Sequence, residues 1–463
     1  MFTLNNNNTT PLYRQLFQQV RERILSGKLP AHFKLPSIRD LAEELATSRN
    51  TVEGAFQELC AEGYIYSKPR SGYFVSALDQ DVSTSAQALR PKPNLPPGPA
   101  EIYRYDFHPA RLDPEIFPTA SWRKCLIDSL GSKTRDYSHY SEPQGEWGLR
   151  CKIQEYLERS RGVHCSPDQI VINPGLQQNL ETVAQLIKDN HESVAVENPG
   201  YHLPRDVFRN LGFNINPIEI GSDGLNLKAL RSSSSTVAYI TPSHQMPCGY
   251  VMPVANRLEL ISWAEKGGRL IIEDDYDSEL RYIGRPISSL QGLCPAGNIL
   301  YQGTFSKVFS PALRLSYMVL PKALVDSYKQ KFRNYLSPVP LLLQRAMIAF
   351  MERGYWEQHI RRARIFYKQK HGLMLQEIER HFGNKAKAIG QGAGLHIVLE
   401  LTDNLKGETE FLERAAQHGC RVLPFSDFYA EDKVVNNWLL LGFGGIKLAN
   451  IAQGIELLST LIR

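Results

Sequence analysis

No run of apolar residues in this 463-residue sequence approaches the length needed to span a membrane, and its first residues lack a basic stretch followed by an apolar one. A membrane segment and a secretory leader are therefore not expected, and a cytoplasmic location is. Cysteine is scarce: there are seven, an odd number, with none of the paired spacings that hold zinc. That argues against a disulfide scaffold or a metal centre and for free thiols in a reducing compartment. Charge of one sign is also lacking. The net charge is +5, and the first 78 residues carry nine Lys and Arg against seven acids, so electrostatics alone does not point to nucleic acid. No internal repeat is visible. What remains is ordinary in bulk, 22% charged and 42% hydrophobic, with enough chain for two or three domains.

The chemistry present is concentrated in Tyr301-Gln302-Gly303-Thr304-Phe305-Ser306-Lys307-Val308-Phe309-Ser310-Pro311-Ala312-Leu313-Arg314. A short apolar run enters a turn at Gly303, and the following residues offer two hydroxyls, Thr304 and Ser306, and the amine of Lys307. Arg314 lies seven positions beyond the lysine. A phosphorylated aldehyde such as pyridoxal phosphate needs that set: an amine for a Schiff base, hydroxyls and a guanidinium for the phosphate.

About thirty residues earlier, Leu270-Ile271-Ile272 reads as a strand buried on both faces, and Glu273-Asp274-Asp275-Tyr276-Asp277 follows at its end. Ligands of open α/β sheets bind at the carboxyl ends of strands. A carboxylate there can keep a pyridine nitrogen protonated, and a tyrosine can hydrogen-bond the ring's 3-oxygen. Three more strand ends offer matching groups. Ile170-Val171-Ile172 leads through Gly175 to a helix start at Leu176 and Gln177, whose backbone amides suit a phosphate. Ser193-Val194-Ala195-Val196 leads to Tyr201, able to stack on an aromatic ring. Val237-Ala238-Tyr239-Ile240 leads to the polar loop Ser243-His244-Gln245.

The N-terminal part has a different pattern. An amphipathic helix after Pro11 carries Leu12, Leu16, Val20 and Ile24 on one face. Ser37 can cap a second helix with Ile38, Leu41, Ala42 and Leu45, and a third carries Val52, Ala55, Phe56 and Leu59 inward, leaving Arg49, Asn50 and Thr51 at its exposed start. Gly63 to Val75 alternates as two strands around a turn with Lys68 and Arg70. These features match a helix-turn-helix whose recognition helix enters the major groove, followed by a wing on the phosphates. From Ser76 to Tyr103 the composition turns polar and then proline-rich, up to Arg90-Pro91-Lys92-Pro93-Asn94-Leu95-Pro96-Pro97-Gly98-Pro99, which reads as a semi-stiff linker.

Residues 11 to about 76 resemble the winged-helix head of the GntR regulators, through Leu35-Pro36-Ser37-Ile38-Arg39-Asp40-Leu41-Ala42 and Ser48-Arg49-Asn50-Thr51-Val52. Residues 105 to 463 resemble a fold-type-I aminotransferase, an α/β domain, so the whole chain resembles a MocR-type regulator: head at 1–76, linker at 77–104, effector domain at 105–463. The resemblance implies that Arg39, Ser48, Arg49, Thr51 and Gly72 face DNA. It further implies Lys307 as Schiff-base lysine, Asp274 as partner of the pyridine nitrogen, with Asp275 the alternative if the strand ends one residue later, and Tyr276 at the 3-oxygen. Thr304, Ser306, Arg314 and the backbone of Leu176 and Gln177 match phosphate contacts, Tyr201 the stacking ring, and Ser243, His244 and Gln245 the loop beside it. Two departures stand out. Glu53-Gly54 occupies a place where many GntR heads are basic. The region Trp438-Leu439-Leu440-Leu441-Gly442-Phe443-Gly444-Gly445-Ile446 lacks the arginine with which aminotransferases anchor a substrate carboxylate, and the nearest cations, Arg421 and Lys447, lie outside the match. A sensor of pyridoxal phosphate or of an amine is therefore expected over a working aminotransferase with a DNA-binding head. A head-to-tail homodimer on an operator is expected with it.

Overall fold

Ser37 and Ser48 each accept a hydrogen bond from a backbone amide three residues on, Asp40 N at 3.2 Å and Thr51 N at 3.1 Å, and so start the two helices Ile38–Glu44 and Arg49–Ala61. The structure is a computed structural model that describes residues 2–6, 10–78, 103–131, 137–138, 140–284, 287–390, 392–402, 407–431 and 437–462. It divides into two units, Met1–Ala100 and Glu101–Arg463. Nearly all of the expected linker lies outside the described residues.

In the first unit, helix Leu12–Leu25 packs against the other two through Leu16, Phe17, Val20 and Ile24, which meet Leu41, Val52, Ala55, Phe56 and Leu59 in one apolar cluster. Leu12, expected on that face, is only half buried. The strands Ile65–Lys68 and Gly72–Val75 pair antiparallel, with Lys68 opposite Gly72. Their turn bends through Arg70 (φ +59°) and Gly72 (φ +106°), the left-handed backbone that glycine adopts freely.

In the second unit an eight-stranded sheet runs in the order Ile170–Asn173, Ser316–Val319, Ile299–Thr304, Leu270–Asp275, Val237–Ile240, Ser193–Asn198, Asn214–Gly221, Gly224–Leu225. The five strands from Ile299–Thr304 to Asn214–Gly221 pair parallel. Ser316–Val319 runs against both its neighbours, which returns Ile170–Asn173 to the direction of the five. The carboxyl ends of Ile170–Asn173, Ser193–Asn198, Val237–Ile240, Leu270–Asp275 and Ile299–Thr304 therefore share one edge. Their side chains are almost all buried, as expected of strands covered on both faces. A separate antiparallel sheet, Ala386–Ile389, His396–Leu401 and Trp438–Gly442, packs in the same core as the 28-residue helix Tyr355–Phe382.

Candidate functional site

The shared sheet edge borders a cavity of about 510 Å³ whose wall includes Leu176, Gln177, Tyr201, Asp274, Tyr276, Thr304, Ser306, Lys307 and Arg314. Nine of the twelve residues expected at this site thus meet in one place, although they come from four separate strand ends.

At one end, Gly175 (φ +101°) opens the helix Leu176–Ile187 with no side-chain cap, so its first amides face the cavity. Gly175 donates to Ser316 Oγ at 2.9 Å, and Ser316 donates in turn to Asn173 O at 2.9 Å, which fixes the turn. Arg314, itself left-handed at φ +48°, lays its guanidinium where a side chain at position 175 would stand. A helix start, two hydroxyls and one guanidinium together form an anion cradle.

At the other end is a buried carboxylate. Asp274 accepts a hydrogen bond from the Tyr239 hydroxyl, and burial pushes its pKa up to about 7, that hydrogen bond opposing. Among the described residues no cation is paired with it, whereas a protonated pyridine nitrogen would supply one. Asp275, the alternative, points to the opposite face of the strand and is already committed: Arg161 Nε lies 2.6 Å from it, with the Tyr301 hydroxyl at 2.6 Å and Ser278 Oγ at 3.0 Å.

Lys307 lines the same cavity, its amine 3.4 Å from Pro109 O and 5.8 Å from the centre of the Tyr276 ring. Burial lowers its pKa, and the carboxylates of Asp277 and Asp274 pull the other way. A lowered value leaves more of the amine neutral and nucleophilic. The Tyr276 hydroxyl keeps its proton, since burial and the charges of Asp277 and Asp274 raise its pKa well above the ordinary value. Burial also raises that of Tyr201, with Asp274 adding and Arg314 opposing, so this ring stands within electrostatic reach of both ends.

The loop after Ile240 departs from expectation. Ser243, His244 and Gln245 are buried behind the cavity and none lines it. Ser243 accepts from Arg161 Nη2 at 2.7 Å, His244 Nδ1 lies 2.8 Å from Asp277 and 3.1 Å from the Tyr276 hydroxyl, and Gln245 donates to Glu197 at 3.2 Å and to Pro199 O at 3.0 Å. Thr241 and Met246 of the same loop form the wall instead. The sequence reading also passed over Asn179, Gln302, His108 and Phe428. Asn179 sits one turn beyond Leu176, a spacing that could have marked it. The amide of Gln302 and Oδ1 of Asn179 are buried with no hydrogen-bond partner among the described residues, as polar atoms awaiting a ligand would be. No cluster of metal-ligating residues and no helix long and apolar enough to cross a membrane occurs among the described residues.

In the first unit, Arg49 is exposed at the start of its helix. Ser48 and Thr51 turn their hydroxyls toward each other at 2.8 Å, and Arg39 pairs with Glu43 at 3.2 Å. Lys68 lies 5.6 and 5.0 Å from the rings of Tyr66 and Phe74, beside the wing turn that carries Arg70 and Gly72.

Residues 12–75 match the family described as bacterial regulatory proteins of the gntR family, and residues 111–458 match aminotransferase class I and II. Across 98% of the chain and 97% of the relative, the sequence is 36% identical to the uncharacterized HTH-type transcriptional regulator YdeL of Bacillus subtilis. It is 32% identical to the probable rhizopine catabolism regulatory protein MocR of Rhizobium meliloti, over 98% of this chain and 94% of that one. The chain belongs to the MocR-type GntR regulators. This MocR-type protein is accordingly a DNA-binding transcriptional regulator with an aminotransferase-like domain. Among solved structures, kynurenine aminotransferase of Pyrococcus horikoshii, crystallised with PMP, superposes with a TM-score of 0.71 at 26% identity, covering 78% of this chain and 91% of that one. LysN of Thermus thermophilus, complexed with N-(5'-phosphopyridoxyl)-L-leucine, superposes with a TM-score of 0.69 at 26% identity, covering 77% and 91%. The fold of this MocR-type regulator therefore implies a pyridoxal-phosphate site.

Proposed function

We propose that this regulator binds pyridoxal phosphate at Lys307, and that the bound cofactor, alone or with an amine, changes how a homodimer holds its operator. The observation that carries the reading is one cavity lined by an anion cradle, by a buried carboxylate with no cation paired to it among the described residues, and by an amine. When bound, the cofactor supplies an electrophilic carbonyl carbon on an electron-withdrawing ring. Lys307 would offer its amine to that carbon. Asp274 holds a proton on the pyridine nitrogen, Tyr276 donates to the 3-oxygen, and Tyr201 covers the ring. Thr304, Ser306, Arg314 and the amides of Leu176 and Gln177 take the phosphate.

In the first unit, Arg49 faces base edges from the start of the third helix, with Arg39, Ser48 and Thr51 beside it, while Lys68, Arg70 and Gly72 meet phosphates through the wing. Two heads on one dimer would gain avidity for paired half-sites when the linker spans them. Sensing is favoured over turnover because Trp438–Gly442, the strand on which aminotransferases carry the carboxylate-anchoring arginine, has none.

The test is operator affinity with and without pyridoxal phosphate, in the wild type and in Lys307→Ala. The expected result is a difference in the wild type that the variant lacks. Coupling of this kind is reciprocal, so operator DNA must change cofactor affinity by the same factor. Equal operator affinities throughout, with candidate amines also present, would sink the sensor reading. Formation of a keto acid from an amino donor would instead support a tethered aminotransferase.

A further inference from the structure

On the strand Trp438–Gly442, Leu440 is buried in an apolar cluster with Met246, Cys248, Val398, Phe425 and Phe428, and Met246 and Phe428 also line the cofactor cavity. A carboxylate on a ligand whose amine meets Lys307 would find no cation on that side, and a desolvated carboxylate without a partner is unfavourable. The cavity has a neighbouring hollow. A second hollow of about 440 Å³ shares His108, Ala110 and Pro311 with it, and Arg421 stands in its wall.

Arg421 lies two residues before Leu423, which lines the cofactor cavity. Along extended chain, residues two apart project to the same side, roughly 7 Å from each other. His108 stands in the wall of both hollows. Burial lowers its pKa, followed by the charge of Arg421, with Asp106 opposing and Arg111 and Lys307 adding to the lowering. The imidazole is therefore within electrostatic reach of both Lys307 and Arg421.

The acids nearby are already engaged. Asp113 accepts from Lys370 Nζ at 2.7 Å, and Asp106 lies 3.5 Å from Arg111 while accepting from the His108 amide at 3.0 Å. Arg421 has the Tyr103 ring at 5.8 Å and, among the described residues, no carboxylate paired with it. A guanidinium with no carboxylate paired to it among the described residues, in the wall of a hollow that borders the cavity of Lys307, suits a carboxylate.

We propose that Arg421, with His108 beside it, recognises the acidic group of the effector, which is a primary amine bearing a distal carboxylate. Its chain spans from Lys307 past His108 into the second hollow. This rests on the reading of Lys307 as the cofactor site. It places carboxylate recognition on the segment Cys420–Leu423 in place of the strand Trp438–Gly442.

The experiment uses the full chain loaded with pyridoxal phosphate. It is titrated with ω-amino carboxylates of increasing length and with n-alkylamines of matching length, reading the change in the visible band. In the wild type the best amino carboxylate should bind about tenfold tighter than its alkylamine, or more, the scale of one charge-assisted hydrogen bond. In Arg421→Gln that ratio should collapse toward one, and Arg421→Lys should restore part of it. A ratio near one in the wild type, or one untouched by Arg421→Gln, overturns the assignment of Arg421 while leaving the cofactor reading standing. A loaded protein with no visible band, or with a band that persists in Lys307→Ala, overturns both.

Discussion

Gly175 and Arg314, 139 residues apart in sequence, share one volume: a Cβ on the glycine would collide with the arginine's guanidinium. Both residues are in left-handed backbone, at φ +101° and +48°. The phosphate end of the cavity thus depends on a missing side chain as much as on a present one. Gly175→Ala should displace Arg314 and strain the turn, weakening pyridoxal phosphate binding by about tenfold or more, on the scale of a lost bidentate charge-assisted contact. Equilibrium titration of the purified chain would check this, and an affinity equal to wild type would show that Arg314 does not hold the phosphate.

Asp274 gives a prediction with a definite sign. Its pKa is pushed up to about 7 in the folded, cofactor-free chain, against about 3.9 in an unfolded one. Between those values the folded state keeps a proton that the unfolded state has released, so stability falls as pH rises through that window. Asp274→Asn removes this contribution. The cofactor-free variant should match the wild type near pH 4 and melt above it at pH 8, while losing affinity for the cofactor. Parallel melting curves across the whole range would contradict the assignment.

In the winged helix, base readout and phosphate contact should separate by salt. Arg49→Ala should weaken specific operator binding by roughly tenfold, since one base contact is worth about 1–3 kcal/mol. Lys68→Ala should weaken specific and non-specific binding alike and lower the salt slope by about one. Fluorescence anisotropy over a salt series distinguishes the two, and an unaffected operator affinity in Arg49→Ala would place recognition elsewhere.

Ser48 accepts the Thr51 amide at 3.1 Å and meets its hydroxyl at 2.8 Å, so its oxygen is engaged within the helix start. Ser48→Ala should therefore destabilise the head by about 1 kcal/mol through loss of the cap. The melting of residues 1–78 within the full chain, followed by hydrogen exchange, would measure it. No change in protection would mean that the cap contributes nothing.

Much of this molecule was legible because its signals are local. The cap at Ser37, the apolar spacing of Val52, Ala55, Phe56 and Leu59, and the run Leu270-Ile271-Ile272 ending in acids each lie within a few residues of the structure they specify. The turn at Gly175 and the loop from Thr304 to Arg314 are local in the same sense. What could not be read depends on partners far along the chain. Whether Asp274 or Asp275 meets the cavity is decided by Arg161, more than a hundred residues earlier, which engages Asp275. Ser243 and Gln245 turn away because Arg161 and Glu197 engage them, leaving Thr241 and Met246 on the wall. Phe428 arrives from a segment some 120 residues beyond Lys307, and no periodicity marks it.

The alternation of Asp274 and Asp275 has a mechanical meaning. A strand cannot turn one residue without turning the next, so the Arg161 contact on the back of the strand also fixes the aim of the carboxylate on its front. The carboxylate that faces the cavity is thereby held in place by its ion-paired neighbour, before any ligand arrives. A cofactor meeting such a shelf spends little of its binding free energy on ordering the protein.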